Sequence, residues 1–167
     1  VMYAVTFWVN KDIQVTNTFF HGHEYQNELG DILILMETDL PSEILAKAKP
    51  LMDRAWNTRG HWMAHNLVWR CEATMKRCVL YGEKELLCEV IERMKREQLI
   101  ITTEEGIQCD FSFHQHKSQL YNGGYGLKFQ EDMPWWLDKL RDTPFAFSSE
   151  DIQIISSLIL EGTQWMT

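Results

Sequence analysis

Apolar residues recur at spacings of three and four along most of this chain, and that period admits little besides α-helix. Leu29, Ile32, Leu33 and Met36 share one face of a helix predicted over 23–38. The same period predicts the end of a helix over 3–9 and one opening at Pro41, with Asp39 as its cap and a kink or break at Pro50. It predicts a long helix over 61–81, stopped by Gly82, and another over 83–98. Helical spacing returns over 125–143 and 148–165, where Ser148 and Asp151 form a capping-box pattern with Asp in place of Glu. The expected class is all-α: about six helices in antiparallel succession, the 167 residues forming one domain or part of one.

The stretch 99–123 breaks this period. Short alternation and β-branched residues suggest extended loop or minor strand there. An insert of that length in a compact domain is uncommon and often functional, so chemistry is sought in it first.

Composition narrows the classes of function. A net charge of −8 argues against general nucleic-acid binding, and at first sight against a polyanionic substrate. No run approaches the length of a membrane span, and the first residues have neither the basic start nor the cleavage pattern of a signal peptide. The opening "VMYAVTFWVN" already reads as helix interior, so the chain is expected to be an excerpt of a longer protein. Cys71, Cys78, Cys88 and Cys109 contain no CxxC pair and are expected to be free and mostly buried.

Three constellations compete for the chemistry. His21/His23 and His114/His116 are HxH pairs, and His61/His65 is an HxxxH pair at the spacing that can grip zinc on a helix. "HWMAH" lacks the Glu of HExxH, and the pairs sit in three separate segments. In "YNGGYG", Gly123 and Gly124 would permit a positive-φ turn before Tyr125 opens a helix, but neither GxGxxG nor a P-loop lysine is present. The aromatic pairs Phe19–Phe20 and Trp135–Trp136 are hard to bury on one helical face, because neighbours lie about 100° apart. Exposed, such rings suit stacking on a sugar.

Taken together, "DFSFHQHKSQLYNGGYG" followed by "WWLDKLRDTPFAFSSEDI" resembles the catalytic segment of polysaccharide lyase family eight, which includes chondroitin AC, hyaluronate and xanthan lyases. The matching positions are Asp110, Ser112, Gln115–His116 and Tyr125–Gly126, and "RDTPFAFS" looks like the chondroitin AC branch. Asn66 in "AHNLVW" fits the family's upstream asparagine, although Gly-Ala-Asn is the usual context; Asn57 is the weaker competitor. "TNTFFHGHEYQNELGDILILM" resembles the family's aromatic-pair segment, with Phe19–Phe20 where two Trp are usual.

The resemblance implies an incomplete α/α toroid, one fragment of a catalytic domain whose N-terminal helices and C-terminal β-domains are absent. It implies no cofactor, no metal, and an acidic polysaccharide as partner, with no nucleic acid or membrane. It also implies a parent protein that is secreted or periplasmic. Asn66 and His116 would donate to a uronate carboxylate, so they should converge. Tyr125, its pKa lowered by neighbouring cations or donors, would remove the C5 proton and protonate the departing oxygen. Phe19, Phe20, Gln115, Lys117 and Asn122 would contact substrate. The family's catalytic Arg is expected about a dozen residues past Thr167, by the family's spacing. Arg59, Arg70, Lys117 and Lys128 are the nearest basic residues in sequence, and Arg70 reads as a solvated helix face more readily than Lys117 does. A carbohydrate-binding helical module without turnover, and a histidine-based metal hydrolase, are the alternatives.

Overall fold

The computed structural model describes residues 1–17, 20–56 and 61–166. Seven α-helices and one small sheet make up its regular elements: α1 (Met2–Lys11), α2 (Tyr25–Leu35), α3 (Ser42–Met52), α4 (Ala64–Tyr81), α5 (Lys84–Arg96), β1 (Gly106–Ile107), β2 (Phe113–Gln115), β3 (Gln119–Leu120), α6 (Leu127–Leu140) and α7 (Ser149–Ser157). The all-α class therefore holds, with one helix more than expected. The chain divides into two compact units, Val1–Gly60 with Trp69–Val90, and His61–Val68 with Ile91–Thr167.

The first unit is organised by apolar stripes. Val5 and Val9 of α1, Leu29 and Leu33 of α2, and Ile44, Ala48, Leu51 and Met52 of α3 bury together in one core. These are the spacings of three and four from which the helices were inferred. Polar groups fasten the ends of the elements. Asp12, in left-handed backbone at the α1 C-terminus, takes two 2.6 Å hydrogen bonds from Arg54, whose guanidinium holds its carboxyl below the ordinary value. Arg77 forms ion pairs with Asp53 and Glu83, its Nε 2.8 Å from a carboxylate oxygen of each, and its Nη2 donates to Glu83 at 3.0 Å. Gly82 stops α4 at φ 67, and the Glu83 N–H returns to the Cys78 carbonyl at 2.9 Å, a Schellman closure that a Cβ-bearing residue would strain.

Several local expectations change. Asp39 does not cap α3: its N–H and that of Leu40 both donate to the Met36 carbonyl, closing α2, and Pro41 takes the N-cap position with no side-chain cap. Pro50 does not break α3, which runs to Met52 and then tightens into a 3₁₀ turn over Asp53–Ala55. Near a helix end, the missing N–H of proline removes only one bond. Arg70 is not a solvated residue. It is 2% exposed, its Nη1 donates to the Ala55 carbonyl at 2.9 Å, and burial pushes its pKa down to about 10. Gly22 makes room for it, since a Cβ there would lie 2.3 Å from Nη2.

In the second unit the insert folds as expected into minor strands. The order is β1–β2–β3, antiparallel throughout, with Ile107 opposite Phe113 and Gln115 opposite Gln119. Phe113 is fully buried against Phe129 of α6, ring centroids 4.9 Å apart, which ties the sheet to the helix. The capping box of α7 forms: Asp151 N–H donates to the Ser148 hydroxyl, and Ser148 N–H to the Asp151 carboxylate. All four cysteines are free, with Cys71 and Cys78 buried, Cys88 half-buried and Cys109 exposed.

Gly162 is the tightest point of the second unit. A Cβ there would lie 2.0 Å from the carbonyl oxygen of Phe111, whose own φ is 59. Main chain cannot rotate aside as a side chain can, so Gly162→Ala is expected to destabilise by about 2 kcal/mol or more. A lowered thermal midpoint, with far-UV circular dichroism retained below it, is the measurement.

Candidate active site

At the start of α4, Ala64 stands at φ 51 and its N–H donates to the Glu97 carboxylate. The next N–H, that of His65, donates to Gln115 Oε1 at 3.3 Å. Asn66 follows, half-buried, on the first turn of the helix. Across the insert, Gln115 ends β2, and His116 and Lys117 follow at φ 55 and 72. Two successive non-glycine residues in left-handed backbone cost on the order of 1–3 kcal/mol each, and persist only where their surroundings hold them. Glu105 does so here. Its carboxylate accepts from the Lys117 N–H at 2.7 Å and from the Gln115 amide.

Tyr125 lies in a π-helical turn over Asn122–Gly126, immediately before α6. Its ring meets that of His116 edge-on at 5.0 Å and that of Tyr121 at 5.1 Å; His116 and Tyr121 are 6.1 Å apart. His116, Tyr121 and Tyr125 therefore form one cluster of rings. His65 meets Tyr125 from another side at 6.3 Å, while its Nε2–H donates to Asp132 at 2.8 Å. Burial lowers the His65 pKa and Asp132 opposes that, so a neutral ring oriented by the carboxylate is the favoured form.

The glycines of "YNGGYG" serve space rather than φ. Neither Gly123 nor Gly124 has positive φ, contrary to the turn inferred from the sequence. A Cβ on Gly124 would sit 2.2 Å from the Tyr121 ring, and one on Gly126 would sit 3.0 Å from Phe113 Cβ. Tyr125 also does not open an α-helix; it sits in the π turn before one. Turns of that kind are frequent at functional sites.

The candidates separate into two groups. His116 and Lys117 are exposed on the loop after β2, Tyr125 is half-buried beside His116, and Asn66 is one residue from a direct hydrogen bond to β2. Gln115 and Asn122, expected to touch substrate, belong instead to the framework. Gln115 is fully buried with both ends of its amide engaged, by His65 N–H and by Glu105. Asn122 is 4% exposed; its Oδ1 accepts from the Phe113 N–H at 2.7 Å and its Nδ2 faces Met166 Sδ at 3.1 Å. Phe20, in the first unit, is 50% exposed. Phe19, Asn57 and Arg59 lie outside the described residues. Trp135 is exposed and Trp136 meets it edge-on at 4.7 Å.

The metal alternative meets three obstacles in geometry. His61 precedes α4, which begins at Ala64, so His61 and His65 are not a helical i, i+4 pair. His116 leaves the strand in left-handed backbone, so His114 and His116 do not share a strand face. His23 is buried and stacked on Trp69 at 5.0 Å. Among the described residues no group of three or more His, Cys, Asp or Glu is placed to hold a metal ion.

Burial and neighbouring charge set the state of Tyr125. Its pKa is raised, chiefly by burial and then by Tyr121 and Glu105. The expectation of a lowered pKa is therefore reversed within this chain. Glu105, Glu97 and Tyr121 were missed as site residues: "TTEEG" shows no period and no motif, and an acidic pair before a turn reads as solvated surface.

Residues 8–163 match the N-terminal α-helical domain of polysaccharide lyase family 8. The chain belongs to that family. Among its relatives is the chondroitinase-AC of Pedobacter heparinus, 26% identical over 156 residues, which cover 92% of this chain and 22% of that protein. A solved chondroitinase AC lyase superposes with a TM-score of 0.82 at 27% identity, covering 93% of this chain and 23% of the other. The chondroitin AC lyase of Streptomyces coelicolor A3 gives 0.83 at 16% identity, with 96% and 23% covered. A Paenibacillus xanthan lyase gives 0.80 at 16% identity, with 96% and 16% covered; at such identities the likeness is one of fold. The chain spans less than a quarter of the length of these proteins.

The contact between Glu97 and Ala64 makes the site's frame sensitive to pH. Glu97 is 9% exposed, and burial pushes its pKa up to about 7 against the restoring effect of the Ala64 N–H. Its folded pKa thus lies above the ordinary 4.5, so the folded protein keeps a proton that the unfolded chain releases. Stability from this group is present below about 4.5 and is lost as pH rises to about 7, a change on the order of 3 kcal/mol. Glu97→Gln keeps an acceptor for Ala64 and removes the titration. Its thermal midpoint should match wild type near pH 5 and exceed it near pH 8; equal midpoints at both pH values would contradict the assignment.

Proposed function

We propose that this chain is the part of a polysaccharide lyase that carries Asn66, His116 and Tyr125, acting on a uronate-containing polysaccharide of the chondroitin or hyaluronan type. The observation that carries the reading is the Tyr125–His116 ring contact beside the α4 first turn, in a chain of this family. An α/α toroid is the architecture that goes with it. A secreted or periplasmic parent protein also goes with it, because such a polymer is met outside the cytoplasm.

The chemistry asks for these side chains. The C5 proton of a uronate lies next to a carboxylate that is already anionic, so further negative charge cannot spread into it. Donors aimed at that carboxylate share its charge and stabilise the enolate that forms as the proton leaves. The Asn66 amide and the His116 ring are donors of this kind, and both lie where solvent reaches them. Tyr125, as phenolate, would take the C5 proton; the C5 electron pair would form the C4–C5 double bond as the C4–O bond breaks. The phenol would then protonate the departing oxygen, leaving a 4,5-unsaturated uronyl end and an ionised Tyr125 for the next turnover.

Forming that phenolate works against burial and against Glu105, which both raise the Tyr125 pKa. The family's Arg would supply the compensating positive charge, and is the group we propose for it. The net charge of −8 is no obstacle to an acidic polymer if the cleft lining, rather than the total, sets the local field.

In the full-length protein, Tyr125→Phe is expected to lower production of the ultraviolet-absorbing unsaturated end by roughly 10²–10⁴-fold while oligosaccharide binding and thermal midpoint hold. Turnover within tenfold of wild type would remove Tyr125 from the mechanism. Binding without unsaturated product from the wild-type protein would establish the non-catalytic module instead.

A further inference from the structure

We propose that Glu105 is a positioning residue for this site, tying together the residues on both sides of His116 and, through Gln115, setting its register against the helix that carries Asn66. The inference rests on the lyase reading for its consequence in turnover, and on geometry for its existence.

The two oxygens of Glu105 have separate tasks. One accepts from the Lys117 N–H, the residue after His116; the other accepts from the side chain of Gln115, the residue before it. His116 and Lys117 both occupy left-handed backbone, which neither side chain favours. A single carboxylate bonded to the residues on either side of His116 keeps the loop from relaxing. Gln115 carries the constraint onward. It is fully buried, and its other end accepts from the His65 N–H, the residue before Asn66. Residues fifty positions apart thus share one chain of hydrogen bonds: Lys117, Glu105, Gln115, His65. Asn66 and His116 are each one peptide from it, while Glu105 itself need not touch substrate.

The chemistry of the pair is directional. A carboxylate can accept from both the Gln115 amide and the Lys117 N–H. Glu105→Gln would keep an acceptor for one and set an amide N–H against the other. The same substitution removes a negative charge that raises the Tyr125 pKa. Glu105 therefore carries two separable effects: it holds His116 in place, and it makes Tyr125 harder to ionise.

The full-length protein tests both, with Glu105→Gln and Gln115→Ala compared with wild type. Amide hydrogen exchange should speed up in peptides covering both 113–121 and 61–68 in each variant, because either change breaks the chain between them. Unchanged exchange in 61–68 would overturn the relay, whether or not the protein has lyase activity. If wild type yields unsaturated product, each variant should lose kcat by roughly tenfold to hundredfold with little change in KM, the signature of misplaced transition-state contacts. Glu105→Gln alone should also move the acidic limb of the kcat/KM profile to lower pH. Wild-type kcat in both variants would overturn the positioning role, as would losses matched by a collapse in thermal midpoint with no movement of that limb. Should Glu105→Gln fail to fold, exchange and kcat in Gln115→Ala decide the matter alone. Absence of unsaturated product from wild type would refute the lyase reading and leave the relay to the exchange result.

Discussion

A buried backbone N–H must find an acceptor, and the second unit meets that demand with side chains. Its strands are two or three residues long, so ladder bonds satisfy few of its amides. Asn122 accepts from Phe113, Gln115 from His65, Glu97 from Ala64, Glu105 from Lys117, and Asp110 from Ser112. Each of these side chains acts as a piece of missing secondary structure. The left-handed backbone at Ala64, Phe111, His116 and Lys117 sits beside these substitutions. The irregular loop can thus hold His116 next to Tyr125 as a regular element would, while leaving both rings within reach of solvent.

This arrangement has an electrostatic cost that the site must meet. Acceptors for backbone amides are carboxylates and amides, so building a loop this way concentrates negative charge around it. Burial is the main reason that Glu97 holds its proton to about pH 7 and that Tyr125 is harder to ionise, and the carboxylates of Glu104 and Glu105 add to it. The acidic polymer and the phenolate base proposed above would both call for the opposite field. A cationic group brought close to Tyr125 would satisfy both demands at once, the role proposed above for the family's Arg.

Much of the fold was legible because helices announce themselves locally. Apolar spacing, the Gly82 stop and the Ser148–Asp151 box each depend on residues within a few positions of one another. Boundaries were less legible. The helix-like stretch 61–63 stays outside α4 because Glu97, thirty-three residues on, fixes Ala64 in left-handed backbone. Arg70 reads as surface by its charge, yet it is buried, with its guanidinium held by the Ala55 carbonyl fifteen residues earlier.

The residues of the candidate site divide in the same way. From the sequence alone came the irregular insert and the family resemblance, and it is that resemblance that groups His116 with Tyr125, nine positions apart. Tertiary structure decided which polar residues face outward. Gln115 and Asn122 look like ligand-binding amides in sequence, yet each is consumed by a backbone N–H from a strand or helix it packs against. It also decided that glycines at 124 and 126 are required by the rings and chain beside them rather than by φ. These outcomes depend on which groups meet across long stretches of chain, and hydrogen-bond demand in a buried loop is settled only once those groups have met.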